Sequence, residues 1–137
     1  MPLAIERLRA TVVKLRALGK KVVVVAPPPA SGFNLGQCLE LQASGKVFLG
    51  ADGEGCRISV AAYQLRRALV RQFLAKLPGE AGVSVVRFDD ALCSTQTCET
   101  EVNGIFIYRD EGHLSIEGSR QLAIRMGFAK RLMDAAR

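Results

Sequence analysis

A chain of 137 residues, 49% of them hydrophobic, falls in the range of one ordinary domain and has enough apolar side chains for a buried core. No apolar run approaches the roughly eighteen residues of a membrane helix, because the most apolar stretch, Val22–Ala26, stops at Pro27, Pro28 and Pro29. The balance of 19 basic against 13 acidic residues gives +6, but aromatics are only 6% and the basic residues spread over three predicted helices; this favours solvated helix faces over a nucleic-acid surface.

From Leu3 onward, Ile5, Leu8, Val12, Leu15 and Leu18 recur at helical spacing, with Arg7, Arg9, Lys14 and Arg16 mostly on the other faces and Gly19 as a left-handed stop. An export signal is not expected, since this stretch has neither an apolar signal core nor a small-residue cleavage site. An Arg-bearing transit peptide is the alternative; the proper helix stop favours an ordinary surface helix. Lys20-Lys21 then leads into Val22–Ala26, a β-branched run of the kind that is buried on both faces of a parallel sheet. The three prolines force a loop from Pro27 to Gly36, at the carboxyl end of that strand, where open α/β sheets bind ligands.

A short helix over Leu35–Gln42 follows, then a long irregular excursion with the Gly-rich stretch Gly50–Gly55. Ser59 is placed to cap a second long helix with a stripe of Ala61, Leu65, Leu69, Phe73 and Leu77, ended by Pro78-Gly79. Val83–Phe88 reads as a second strand and Asp89-Asp90 as a turn. Asn103-Gly104, between the β-prone residues of Glu101–Tyr108, signals a tight hairpin. A last helix over Ser115–Ala136 places Leu122, Met126, Ala129 and Met133 on one side. The order helix, strand, helix, strand, hairpin, helix predicts an α/β fold: a parallel sheet with flanking helices and a C-terminal hairpin. Two parallel strands make a short sheet, so residues 1–137 are expected to form a single partial domain, the later half of something larger.

Four cysteines form an even set. Structural zinc sites bring ligands in close pairs two to four residues apart. Only Cys93 and Cys98 come near such a pair, so no metal is expected. Disulfides Cys93–Cys98 and Cys38–Cys56 are the preferred reading and imply an oxidising compartment; four reduced core cysteines are the alternative.

The chemistry concentrates at Asp110 and His113, three residues apart on the turn before the last helix. At that spacing the carboxylate can accept from one imidazole nitrogen. The other nitrogen is then free to take a proton from a hydroxyl and return it to a leaving group. A capping or salt-bridge role is the structural alternative for an Asp-x-x-His pair standing by itself.

The wider context carries a resemblance. Tyr-Arg-Asp-Glu-Gly-His-Leu-Ser-Ile-Glu-Gly at residues 108–118, preceded by Leu-Cys-Ser-Thr-Gln-Thr-Cys at 92–98 and a hairpin, resembles the C-terminal block of SGNH hydrolase-like domains. It is most similar to those fused behind membrane acyltransferases that O-acylate cell-envelope sugars. Gly-Lys-Lys-Val-Val-Val-Val-Ala-Pro-Pro-Pro at 19–29, with Cys38 further on, is similar to the same family. The resemblance covers most of the chain and implies a flavodoxin-like, SGNH-type sheet, seen here in part. It assigns Asp110 as orienter and His113 as base of a serine esterase or O-acyltransferase acting on acyl esters of cell-envelope polysaccharide, with no cofactor.

The family's nucleophilic serine lies in a Gly-Asp-Ser block, and no such triplet occurs in these residues. Asn34 and Asn103 do not lie in the Gly-x-Asn-Asp setting of the family's oxyanion hole. Ser31 lacks the strand-to-helix turn that would activate it, and a loop-polar role is expected for it instead. The implied partners are an acyl-sugar or polysaccharide substrate and the missing N-terminal half or membrane acyltransferase part, with an extracytoplasmic location. By itself the chain is expected to be inactive. The rival is a non-catalytic α/β module that binds an anionic sugar or a protein partner.

Overall fold

The computed structural model describes residues 1–50 and 55–137, so most of the Gly50–Gly55 stretch expected as an irregular excursion lies outside the described residues. Helix α1 (Pro2–Ala17) starts with proline in its first turn, where the missing N–H costs nothing, and stops at Gly19 with φ +71°. Strand β1 (Val23–Val25) leads to the proline loop. Helix α2 (Leu35–Ala43) is capped by Asn34, whose side chain accepts from the Gln37 N–H at 3.0 Å. Then come β2 (Ile58–Ser59), α3 (Val60–Arg66), α4 (Ala68–Glu80) and β3 (Ser84–Val86). A short helix α5 (Asp89–Leu92) stands where a turn is expected. It is followed by β4 (Thr97–Cys98), β5 (Glu101–Val102), β6 (Ile105–Phe106), α6 (Ile116–Arg125) and α7 (Phe128–Ala135).

The α/β class expected from the sequence is the one observed. Strands β1 and β3 are parallel, with Val24 opposite Val85 and Val25 opposite Val86. Side chains on one face of this pair, Val22, Val24, Ala26, Val83 and Val85, pack with Ile5, Leu8 and Val12 of α1 and Leu74 and Leu77 of α4. Val23 and Val86 on the other face join a larger cluster around Leu35, Ile58, Ile107, Tyr108 and Leu122, closed by Phe128 and Leu132 of α7. The hairpin forms as expected: β5 pairs antiparallel with β6, and Asn103 and Gly104 take φ +52° and +77°, the two left-handed positions of a two-residue turn.

Four expectations are corrected. The valine run is not fully buried: both faces of β1 meet a core cluster, but the strand has a single parallel neighbour among the described residues, so its other edge is uncovered, and Val25 stays 42% exposed. The helix after Ser59 breaks at Arg67 (φ −103°, ψ 18°), and the rotation leaves Leu65 and Leu69 exposed while Tyr63, Leu74 and Leu77 take the buried positions. That helix also runs through Pro78 to Glu80, since a proline in the last turn removes one hydrogen bond and Ala81 N–H still reaches the Leu77 carbonyl at 2.9 Å. The last helix breaks at Gly127 (φ +59°), which turns Met133 outward and brings Leu132 and Ala135 onto the core.

Both expected disulfides, Cys38–Cys56 and Cys93–Cys98, are formed, and no cysteine is free among the described residues. The first fastens α2 to the segment before β2. The second closes the loop between α5 and β4.

Candidate active site

The site grows out of one buried strand end. Ile107 and Tyr108 are 0% and 2% exposed and fix the chain before it turns. Tyr108 bridges to Leu114, Arg109 N–H donates to the His113 carbonyl at 2.9 Å, and Ser115 N–H donates to the Ile107 carbonyl at 2.8 Å. Residues 109–113 are thereby pinched into a narrow outward turn. Ser115 closes its base, accepting from Gly118 N–H at 2.9 Å as the cap of α6 and donating its own hydroxyl proton to the Phe106 carbonyl at 2.7 Å.

Helix α6 can lie this close because residue 118 is glycine. A Cβ there would stand 2.5 Å from the Ile107 Cα, an overlap with backbone that no rotamer relieves. Gly118→Ala is expected to cost roughly 1–3 kcal/mol of stability, the usual range for overpacking. Urea denaturation checks it, and an unchanged midpoint would contradict the close packing.

Inside the turn, Asp110 Oδ1 accepts from the backbone N–H groups of His113 (2.9 Å) and Gly112 (3.1 Å). The same carboxylate faces the His113 ring, with Nδ1 at 2.9 Å from Oδ1 and 3.0 Å from Oδ2. Asp110 thus holds both the backbone and the ring of His113. The tautomer that suits this contact carries its proton on Nδ1 and leaves Nε2 with a lone pair. The His113 side chain is 76% exposed, so that lone pair is accessible; Arg109 Nε stands 3.6 Å from Asp110 Oδ2.

The backbone N–H groups of His113 and Gly112, ahead of the imidazole, hold the Asp110 carboxyl down at about 2. The depressed carboxylate contributes to stability above its ordinary titration range, and the contribution is lost as pH falls through about 2. Carboxyl-carbon NMR should therefore place the Asp110 midpoint near 2, and His113→Ala should leave it well below the ordinary value because the backbone donors survive. A midpoint near 4 in that variant would make the imidazole the dominant cause.

The turn sits at the carboxyl end of β1, against the proline loop. Ser31 N–H donates to the Glu111 carbonyl at 3.0 Å, and the Cβ position of Gly112 is 3.1 Å from Ala30 Cβ. Gly36 in α2 abuts the Arg109 carbonyl so closely that a Cβ would lie 2.0 Å from its oxygen. Ser31 has the loop-polar role expected for it: it is 4% exposed and its hydroxyl donates to the Phe33 carbonyl. Asn34 and Asn103 serve as helix cap and hairpin turn. A cleft of about 850 Å³, lined by Leu39, Arg57, Cys93, Phe106 and Arg125 among others, contains neither Asp110 nor His113.

A family model described as SGNH domain (fused to AT3 domains) matches residues 2–126. The chain belongs to the SGNH domain family. No curated protein and no solved structure matches it. No helix among the described residues of this SGNH chain is long and apolar enough to cross a membrane, whereas the family description joins such domains to AT3 domains.

Sequence reasoning about this SGNH domain found the Asp110–His113 pair because both partners lie in one turn. It missed the Ser31–Glu111 link. Gly36, a glycine inside a predicted helix, was the available signal for the close approach at Arg109.

Proposed function

We propose that this chain is the later, base-bearing part of an SGNH-type serine esterase or O-acyltransferase domain acting on acyl esters of cell-envelope polysaccharide. The observation that carries this reading is the Asp110–His113 contact, with Nδ1 engaged at 2.9 Å and the ring otherwise exposed. A serine hydroxyl delivered to Nε2 gives up its proton as its oxygen attacks the acyl carbonyl, and the imidazolium returns that proton to the departing alcohol oxygen. Water or a sugar hydroxyl then takes the acyl group from serine, with Nε2 accepting its proton and passing it to the departing serine oxygen. Asp110 keeps the ring in the working tautomer throughout and stabilises the imidazolium.

The serine and the oxyanion donors are supplied from an upstream segment, and the AT3 part supplies the acyl group at the extracytoplasmic face. The absence of a Gly-Asp-Ser triplet from residues 1–137 and the structural use of the Ser31 hydroxyl support this division. Residues 1–137 by themselves should give no acyl-enzyme mass shift and no His113-dependent hydrolysis with an activated acetyl ester. Adding the serine-bearing segment should restore both. Robust His113-dependent turnover by these residues alone would overturn the proposal, with Ser31 the first residue to mutate.

A further inference from the structure

Two consecutive arginines, both unassigned by the ester chemistry, converge on the loops that flank His113. In an unbroken helix neighbouring side chains diverge by about 100°. Here the break at Arg67 lets both reach the same side. The Arg66 guanidinium lies against the proline loop, where a Cβ on Gly32 would stand 1.9 Å from Nη1 and 2.2 Å from Nη2. The Arg67 guanidinium lies against the Asp110–His113 turn, with Nη2 3.7 Å from the Cβ position of Gly112, the residue next to the base. Glycine at both positions leaves room for these planar groups to rest on backbone.

Neither arginine pairs with a carboxylate among the described residues. Arg67 is half-buried, and its Nε is buried without a hydrogen-bond partner among the described residues. The Nη groups of both side chains have no carboxylate partner among the described residues, and an external anion would accept charge-assisted hydrogen bonds from them. Arg66 is exposed, so the pair presents an accessible fork of donors of the geometry that carboxylate and phosphate groups accept.

We propose that Arg66 and Arg67 form an anion-recognition site beside His113, so that the acylated sugar is one bearing a carboxylate or phosphate group. The site deepens the ester-processing reading and rests on it for the identity of the ligand as substrate, though not for binding itself. A ligand anchored there through its anion places a neighbouring ester or hydroxyl near the free edge of the imidazole. Neutral sugars lack that anchor.

Titration of the chain with glucuronate, inorganic phosphate and glucose, at constant ionic strength, tests this by following the amide signals of Gly32, Gly112 and His113 in ¹H–¹⁵N spectra. Saturable shifts with glucuronate or phosphate, and none with glucose, are the expected result. The tighter of the two anions names the class. Arg67→Gln and Arg66→Gln should each weaken binding at least tenfold, and Arg67→Lys, which keeps the charge but not the fork, should fall between. Should Arg67→Gln fail to fold, the exposed Arg66, as Arg66→Gln against Arg66→Lys, makes the same comparison.

Equal shifts with glucose, no saturation with either anion, or wild-type binding in the folded glutamine variants would overturn the site. Hydrolysis of a neutral acetyl ester by the chain supplied with its serine-bearing segment separates the two claims. Hydrolysis without anion binding removes only the arginine site; anion binding without hydrolysis removes the ester reading and leaves a binding module.

Discussion

His113→Ala, in the chain completed by its serine-bearing segment, is expected to lower kcat/KM for an activated acetyl ester by roughly 10³–10⁴-fold. In the proposed mechanism the ring transfers protons in both half-reactions, so the loss should fall on kcat while KM changes little. Asp110→Asn should cost a similar factor by a different route. The asparagine Oδ1 can still accept from the His113 and Gly112 N–H groups that Asp110 serves, so the turn survives. An amide in place of the second carboxylate oxygen favours the wrong tautomer and withdraws the charge that stabilises the imidazolium. Steady-state kinetics on both variants, with wild-type NMR dispersion as the folding control, decide the matter. A loss below tenfold in either would show that the pair is structural.

Removing the Cys38–Cys56 disulfide by a double alanine substitution is expected to destabilise the fold by about 3 kcal/mol, because the bond closes a loop with a sequence separation of 18. Both residues are also buried, at 1% and 5% exposure, so the loss of packing acts in the same direction. The Cys93–Cys98 bond spans only 5 positions and should matter less, since a shorter loop restricts the unfolded chain less. Urea melts of the two double variants, compared with the oxidised chain, provide the measurement. If loss of the Cys93–Cys98 bond proves the more costly, local strain or packing at the α5–β4 loop outweighs loop entropy.

The site's geometry explains why the Asp110–His113 pair was readable without coordinates while its surroundings were not. Asp110 satisfies two backbone N–H groups and the imidazole inside a single turn, and a contact across three residues is set by local backbone conformation. The glycines are different. Gly36 and Gly118 matter because Arg109 and Ile107 approach them from distant parts of the chain. Arg66 and Arg67 appear in the sequence as members of a solvated helix face, and only the break at Arg67 turns them onto the proline loop and the turn beside His113.

Helix faces show the same division. The periodicity in α1 and after Ser59 gave the right element type, but which apolar residues are covered depends on how much of each face the rest of the fold reaches. Ile5 and Val12 are buried while Leu15 and Leu18 on the same predicted stripe are exposed, and Leu65 and Leu69 are 82% and 73% exposed. A stripe records which side of a helix is apolar; it carries no record of where the neighbouring element ends.

By itself, the sequence determined the features that a few adjacent residues fix: the α/β order, the Asn103-Gly104 turn, the Ser59 cap and the Asp110–His113 spacing. Tertiary structure alone decided the pairing of β2 with β4, the helix breaks at Arg67 and Gly127, the seating of the proline loop on the Asp110–His113 turn through Ser31 and Glu111, and the exposure of Val25. The physical reason is range. Caps and turns close hydrogen bonds within a few residues, whereas the contact from Ser31 to Glu111 joins positions 80 apart and depends on the packing of every element between them.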